Sequence, residues 1–294
     1  MTRYARTHAR SLAALSLFLG FALNLQANAA GGDTPRIVTI GGAATEIVFA
    51  LGQGEHVVAR DMSSVYPPES QHLPEVGYVR SIAAEGVLSM RPEVIIATPE
   101  LGPPPVLQQL KRSGANLLIL PEVKDAQTLQ TAVAAVGQTL GIVDQANALN
   151  AAIQADFKAL KAIENTPSVV LFMQTPGSGS FIAGGARTKA NAIIELAGGT
   201  NAASGHNGYQ PLNPEALLVL NPDVILIATT EPDAARNHAL AALRDAPMWN
   251  ALPAVRQGHV HFVPLSKTLG FGPRLGEATR ALNTYFVAAA AHSE

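Results

Sequence analysis

From Pro35 onward, short apolar runs rich in β-branched residues alternate with segments whose apolar positions recur at helical spacing. That alternation is the signature of βα units arranged around a mostly parallel sheet. It predicts strands at 36–40, 57–59, 94–97 and 117–120, and in the second half at 168–172, 224–228 and 260–263. Helices are predicted over 44–51, 106–113, 126–140 and 189–197. Between the halves, residues 144–164 place Ala, Ile, Phe and Leu at helical spacing, with no Gly or Pro before Pro167. One uninterrupted helix is expected there, and about 20 residues of helix span roughly 30 Å, enough to strap two lobes together.

An internal repeat supports two related halves. The segment from Ala84 to Ala97 aligns without gaps on the segment from Pro214 to Ile227; in both, a Glu (Glu85, Glu215) stands seven positions before a Pro, and a buried strand follows. A looser echo pairs Ile40-Gly41-Gly42-Ala43-Ala44-Thr45 with Ala183-Gly184-Gly185-Ala186-Arg187-Thr188, each at a strand-to-helix turn.

The N-terminus has the three parts of a secretory signal: Arg3, Arg6 and Arg10, an apolar run from Leu12 to Leu25, and the small tripeptide Ala27-Asn28-Ala29. Residues 1–30 are therefore expected to be an export tag, since the apolar run falls short of the roughly 20 residues of a membrane span. The chain has no cysteine, which excludes disulfides and a lipid anchor on a cleavage-site Cys. The expected division is a signal peptide at 1–30, an N-terminal lobe at 34–143, a connecting helix at 144–165 and a C-terminal lobe at 166–294. A freely diffusing monomer of the periplasm fits these features. A formal net charge of −2 without a Lys/Arg cluster argues against nucleic acid as a partner.

Catalytic motifs are missing. Gly41 and Gly42 do not complete G-x-G-x-x-G, and there is no P-loop, no G-x-S-x-G elbow and no H-E-x-x-H helix. His259 and His261 share a strand face but have no further metal ligands nearby in sequence. No enzyme activity is expected.

These residues resemble the substrate-binding proteins of bacterial ABC importers for iron chelates, cobalamin and haem. The likeness covers 37–52, 85–96, 188–199 with its Leu196-Ala197-Gly198-Gly199 ending, and 214–227. It implies an α/β fold of two Rossmann-like lobes with mostly parallel sheets, joined by a single long helix, with the ligand cleft between the lobes. Within that superfamily the haem-binding branch is indicated by Val76-Gly77-Tyr78-Val79-Arg80, by Gly208-Tyr209-Gln210-Pro211-Leu212, and by Leu269-Gly270-Phe271-Gly272-Pro273-Arg274, in that order.

Haem needs an axial ligand, an apolar wall and cations or donors for its propionates. The resemblance makes Tyr78 the axial ligand of the iron, while an isolated Tyr is otherwise an ordinary packing residue. A free phenol ionises near pH ~10, so a phenolate ligand relies on the iron's charge and on a neighbouring cation. Arg80, two positions on in an extended segment, is expected on the same side as Tyr78. Tyr209, in a loop rich in Gly and Asn, either reaches the opposite wall or packs locally. Arg274 and Arg187 are each either a propionate partner or a solvated cation. His206, close to Tyr209, is the reserve ligand, and one haem per protein is expected. Glu85 and Glu215 are implied to dock on an inner-membrane ABC permease, each lobe addressing one subunit, with an outer-membrane haem receptor upstream. A siderophore or cobalamin carrier is the alternative. Free Zn²⁺ or Mn²⁺ capture and a haem-degrading or chelatase-like enzyme fit less well, because the sequence offers neither a ligand cluster nor an acid/base pair.

Overall fold

A computed structural model describes residues 35–174, 181–233 and 247–291. The expected signal peptide lies outside the described residues. Among those described, no helix is long and apolar enough to cross a membrane.

The first half builds a four-stranded, all-parallel sheet from β1 (Ile37–Ile40), β2 (Val57–Arg60), β3 (Val94–Ala97) and β4 (Asn116–Ile119), in the order β2-β1-β3-β4. Strands β1 and β3 are buried at every position. A parallel strand covered on both faces has no polar face to alternate with, which is why these segments are unbroken apolar runs. Helices α1 (Gly42–Ala50), α2 (Ala84–Ser89), α3 (Pro104–Arg112) and α4 (Ala126–Leu140) belong to this half, and α5 (Val143–Lys158) follows it.

The second half builds a sheet from β5 (Ser168–Gln174), β6 (Phe181–Gly184), β7 (Thr200–Asn201), β8 (Tyr209–Pro211), β9 (Val224–Thr229) and β10 (Val260–Pro264), in the order β10-β9-β5-β6-β8 with β7 pairing β5. Strands β5, β7, β9 and β10 run parallel, while β6 and β8 pair antiparallel. Its helices include α6 (Lys189–Leu196), α7 (Pro214–Leu220), α8 (Pro247–Asn250), α9 (Pro253–Arg256), α10 (Leu265–Leu269) and α11 (Leu275–Ala290). The mixed α/β, two-lobed architecture is as expected. In each copy of the repeat a short helix, α2 or α7, leads into a strand of the central sheet, β3 or β9.

The helix between the halves is shorter than the sequence predicts. It ends at Lys158, not Glu164, although Ala159, Leu160 and Lys161 all favour helix. Asn283 of α11 overrides that preference: its side chain accepts from the Lys161 N–H at 2.9 Å and donates to the Lys161 carbonyl at 3.0 Å and to the Ala197 carbonyl at 3.1 Å. A residue whose backbone groups are claimed by a buried amide cannot continue the helical ladder. Farther back, α5 meets α11 where Gly276 lies, since a Cβ there would come 2.6 Å from Asp156 Cβ.

One continuous apolar cluster contains Ile37 and Ile47 from the first half, Val136 and Ile153 from α4 and α5, and Val169, Val224 and Phe286 from the second. Each sheet also has a cluster of its own on the other face, around Ile95 in one and Phe172 in the other. The lobes therefore share a core along one side and are separate along the other.

Candidate ligand-binding cleft

A cleft of about 690 Å³ opens between the lobes, lined both by Leu265 and Leu269, which pack against the shared cluster, and by Val79 of the first sheet's own cluster. Its walls are loops at the carboxyl ends of parallel strands: Gly41 after β1, Ser63 and Tyr66 after β2, Thr98 and Glu100 after β3, Thr230 after β9 and Leu265 after β10. This is where open α/β sheets place their crevices, because the connections to the helices diverge there. The volume lies within the roughly 300–1,000 Å³ of small-ligand sites.

The first-lobe wall is tied together by a polar network. Gly41 adopts φ +100°, and a Cβ there would lie 2.3 Å from Thr98 Oγ1, so only glycine fits. Its N–H donates at 2.7 Å to Asp61, a fully buried carboxylate that also accepts from the Ser64 hydroxyl and from the N–H and hydroxyl of Ser63. Buried Arg60 donates to the carbonyls of Asp61, Ser70 and Gln71. These contacts fix the loop that presents Val65 and Tyr66 to the cleft.

Tyr78 lines the cleft and is 42% exposed. Its position follows from its neighbours: Val76, Val79 and Ile82 are buried, and their spacing turns the intervening Tyr78 and Arg80 outward. The segment is not the extended run predicted for it. Val79–Ser81 forms a 3₁₀ turn that begins just after Tyr78, so strand alternation does not explain how Arg80 comes to stand beside it. Both nonetheless line the same cleft.

Tyr209 sits on β8, not in a loop. Although Tyr209 is 39% exposed, partial desolvation of the phenol pushes its pKa up, while hydrogen bonds from the Ala190 backbone, Thr188 and the Lys189 backbone, together with the positive charge of Arg80, draw it partly back. The structure thus places Tyr209 against the start of α6, and Tyr209 is not among the residues that line the cleft.

Other predicted residues lie elsewhere. Arg274 is engaged by Glu46, its Nε and Nη2 donating at 2.9 and 2.7 Å, and Tyr66 stacks on the guanidinium at 3.4 Å. Arg274 is thus a partner for a protein carboxylate rather than an open cation. Arg187 is exposed, with φ +58°, outside the cleft lining. His206 packs in the space left by Gly185, where a Cβ would meet its ring at 2.5 Å, and does not line the cleft. His261 stacks on Tyr285 with ring centroids 3.8 Å apart. No group of three or more residues able to hold a metal ion exists among the described residues. Glu85 and Glu215 are both exposed in the first turns of α2 and α7.

Three functional candidates escaped the sequence reading. Glu46 is buried in α1, and its pKa is raised by burial, against the hydrogen bonds and charge of Arg274; its signal was an acid inside the apolar run from Ala43 to Val48. Lys189 and Glu100 pair across the cleft at 3.3 Å. Nothing in either local sequence announces that contact.

The family model for periplasmic binding proteins matches residues 37–265. The chain belongs to that family. Members of it are non-enzymatic binding components of transport, in agreement with the expected lack of catalysis. Among solved structures, the chain is 34% identical to the periplasmic heme-binding protein BhuT in complex with two hemes, with a TM-score of 0.78, covering 87% of this chain and 99% of that one. The periplasmic heme-binding protein RhuT from Roseiflexus sp. RS-1 is also 34% identical, with a TM-score of 0.77 and the same coverages. Among curated relatives, the vitamin B12-binding protein of Vibrio parahaemolyticus is 26% identical over 76% of this chain and 79% of its own length.

Proposed function

We propose that this protein captures ferric haem in its inter-lobe cleft and delivers it to an inner-membrane ABC importer. The observation that carries this reading is Tyr78, a phenol held outward by buried neighbours on the wall of a cleft that also contains Arg80. The 34% identity to haem-binding structures over nearly their full length supports the choice of ligand.

In this reading the Tyr78 phenolate coordinates the iron, a hard anionic oxygen donor that favours the ferric state. Arg80 stabilises the phenolate through its charge or a hydrogen bond. The ring face lies against Val65 and Tyr66, and Tyr209 closes the site from the second lobe. Export by residues 1–30 places the protein in the periplasm as a monomer, with an outer-membrane haem receptor upstream. Glu85 and Glu215, one per lobe, address the two halves of the permease; the pull of a helix's first turn on a carboxylate also suits their placement.

Titration with ferric haem tests the proposal. Wild type should shift the Soret band and show a tyrosinate charge-transfer feature, and Tyr78→Ala should abolish that feature. The relatives named as vitamin B12-binding proteins supply the second reading, a cobalamin carrier. Binding of cobalamin without any response to haem would establish it.

A further inference from the structure

We infer that Lys189 selects for carboxylate-bearing ligands by exchanging its partner Glu100 for a carboxylate of the bound molecule. The inference rests on the haem reading and adds a residue that sets specificity within the same cleft.

Lys189 opens α6 in the second lobe, and Glu100 follows β3 in the first; both line the cleft. Their ion pair is a single contact of 3.3 Å between side chains that are 38% and 31% exposed. The other cross-lobe pair, Glu46–Arg274, is bidentate, and its carboxylate is only 5% exposed. A half-exposed pair with one contact is held more weakly than a buried bidentate one, because water still reaches both charges. A carboxylate fixed in place by the rest of a bound ligand competes for such a lysine at little cost. The buried bidentate pair offers no such exchange.

Lysine chemistry suits the task. Its ammonium is a compact charge on a flexible stem with three rotatable donors, so it can turn from one carboxylate to another without the geometric match that a guanidinium fork demands. The Phe271 ring lies beside the ammonium, its centroid 5.7 Å from Nζ. Arg80 shares the cleft and has no ion-pair partner among the described residues. Two cations thus face a volume with one exchangeable anion. Burial opposes ionisation of Glu100, but the charge of Lys189 and a hydrogen bond from Thr98 hold its pKa below the usual value. At neutral pH Glu100 is therefore a genuine competitor for Lys189.

The test titrates ferric haem and ferric haem dimethyl ester, which lacks free carboxylates, into wild type, Lys189→Met and Glu100→Gln, with thermal melts to verify folding. Lys189→Met should weaken haem about tenfold, the size of one lost charge-assisted hydrogen bond, and leave the ester unchanged. Glu100→Gln should tighten haem, because the competitor is gone, and Lys189→Arg should restore part of the affinity. Equal weakening of haem and ester by Lys189→Met, or no effect on either, would overturn the inference while leaving the haem reading intact. Loss of haem affinity in Glu100→Gln would do the same, showing that the pair is only a strut between the lobes. Failure of wild type to bind either porphyrin would instead sink the haem reading itself.

Discussion

Glu46 and Arg274, 228 positions apart in the chain, join the two lobes through parallel hydrogen bonds of 2.7 and 2.9 Å. Glycines make the approach possible: a Cβ on Gly272 would sit 3.0 Å from Glu46 Oε2, and Gly270 lies nearby. Tyr66 covers the guanidinium from the cleft side.

Removing the cation should therefore be expensive. Arg274→Met leaves a buried carboxylate without its partner and is expected to cost about 3–5 kcal/mol at neutral pH, measured by denaturant unfolding. Because burial already raises the folded pKa of Glu46 above 4.5, the folded state holds that proton more tightly than the unfolded chain does. Stability from this group is thus complete below the unfolded value and declines as pH rises through the folded one. The deficit of Arg274→Met should shrink in acid, where Glu46 is neutral. A deficit that grows on acidification would contradict this assignment.

The shared apolar core on one side of the cleft limits how far the lobes can part. Opening the cleft widely would have to separate groups such as Ile153 and Phe286 from the cluster that spans both halves. Ligand binding is accordingly expected to produce small hinge motion. X-ray scattering with and without haem should show nearly superposable profiles; a change of several ångströms in radius of gyration would contradict a rigid joint.

Helix α4 starts from a reciprocal cap. Asp125 accepts from the Thr128 N–H at 2.7 Å, and Thr128 Oγ1 accepts from the Asp125 N–H at 3.0 Å. Asp125→Ala should cost about 1 kcal/mol. The hydrogen bonds from Thr128 hold the Asp125 pKa below 3.8, so its contribution is present above that value and is lost as pH falls through the folded pKa. Wild type and variant should converge in strong acid when their stabilities are compared across pH.

Glu85 and Glu215 stand outside the cleft, so haem titrations of Glu85→Ala and Glu215→Ala should match wild type. Stimulation of the importer's ATPase, measured in reconstituted vesicles, should fall in each single variant and nearly vanish in the double. Unchanged stimulation in the double variant would remove these residues from the interface.

Much of the fold was legible in the sequence for one physical reason. Strands buried on both faces, such as Ile37–Ile40 and Val94–Ala97, must be apolar throughout, and a repeated Glu-Pro-strand module declares two related halves. The short antiparallel strands β6 and β8 and the helix α11 were missed. Strand β8 is three residues long and exposed at each, so it carries no hydrophobic period to detect. The expected helix over 144–164 was overextended because its stopping signal, Asn283, lies 122 positions away from Lys161. At the cleft, Tyr78 and Arg80 stand together because they are near neighbours in the chain, whereas the sequence leaves Arg274 either to a propionate or to solvent because the carboxylate it meets, Glu46, is remote in sequence.

What the sequence alone determined is everything set by neighbours along the chain: the βα alternation, the duplicated Glu-Pro-strand module, and the nearness of Tyr78 to Arg80. Only the tertiary structure decided which charges are available to a ligand. An arginine carries the same formal charge wherever it stands in a sequence, but folding determines whether a carboxylate is brought against it, as Glu46 is against Arg274, or whether it lines the cleft without an ion-pair partner among the described residues, as Arg80 does.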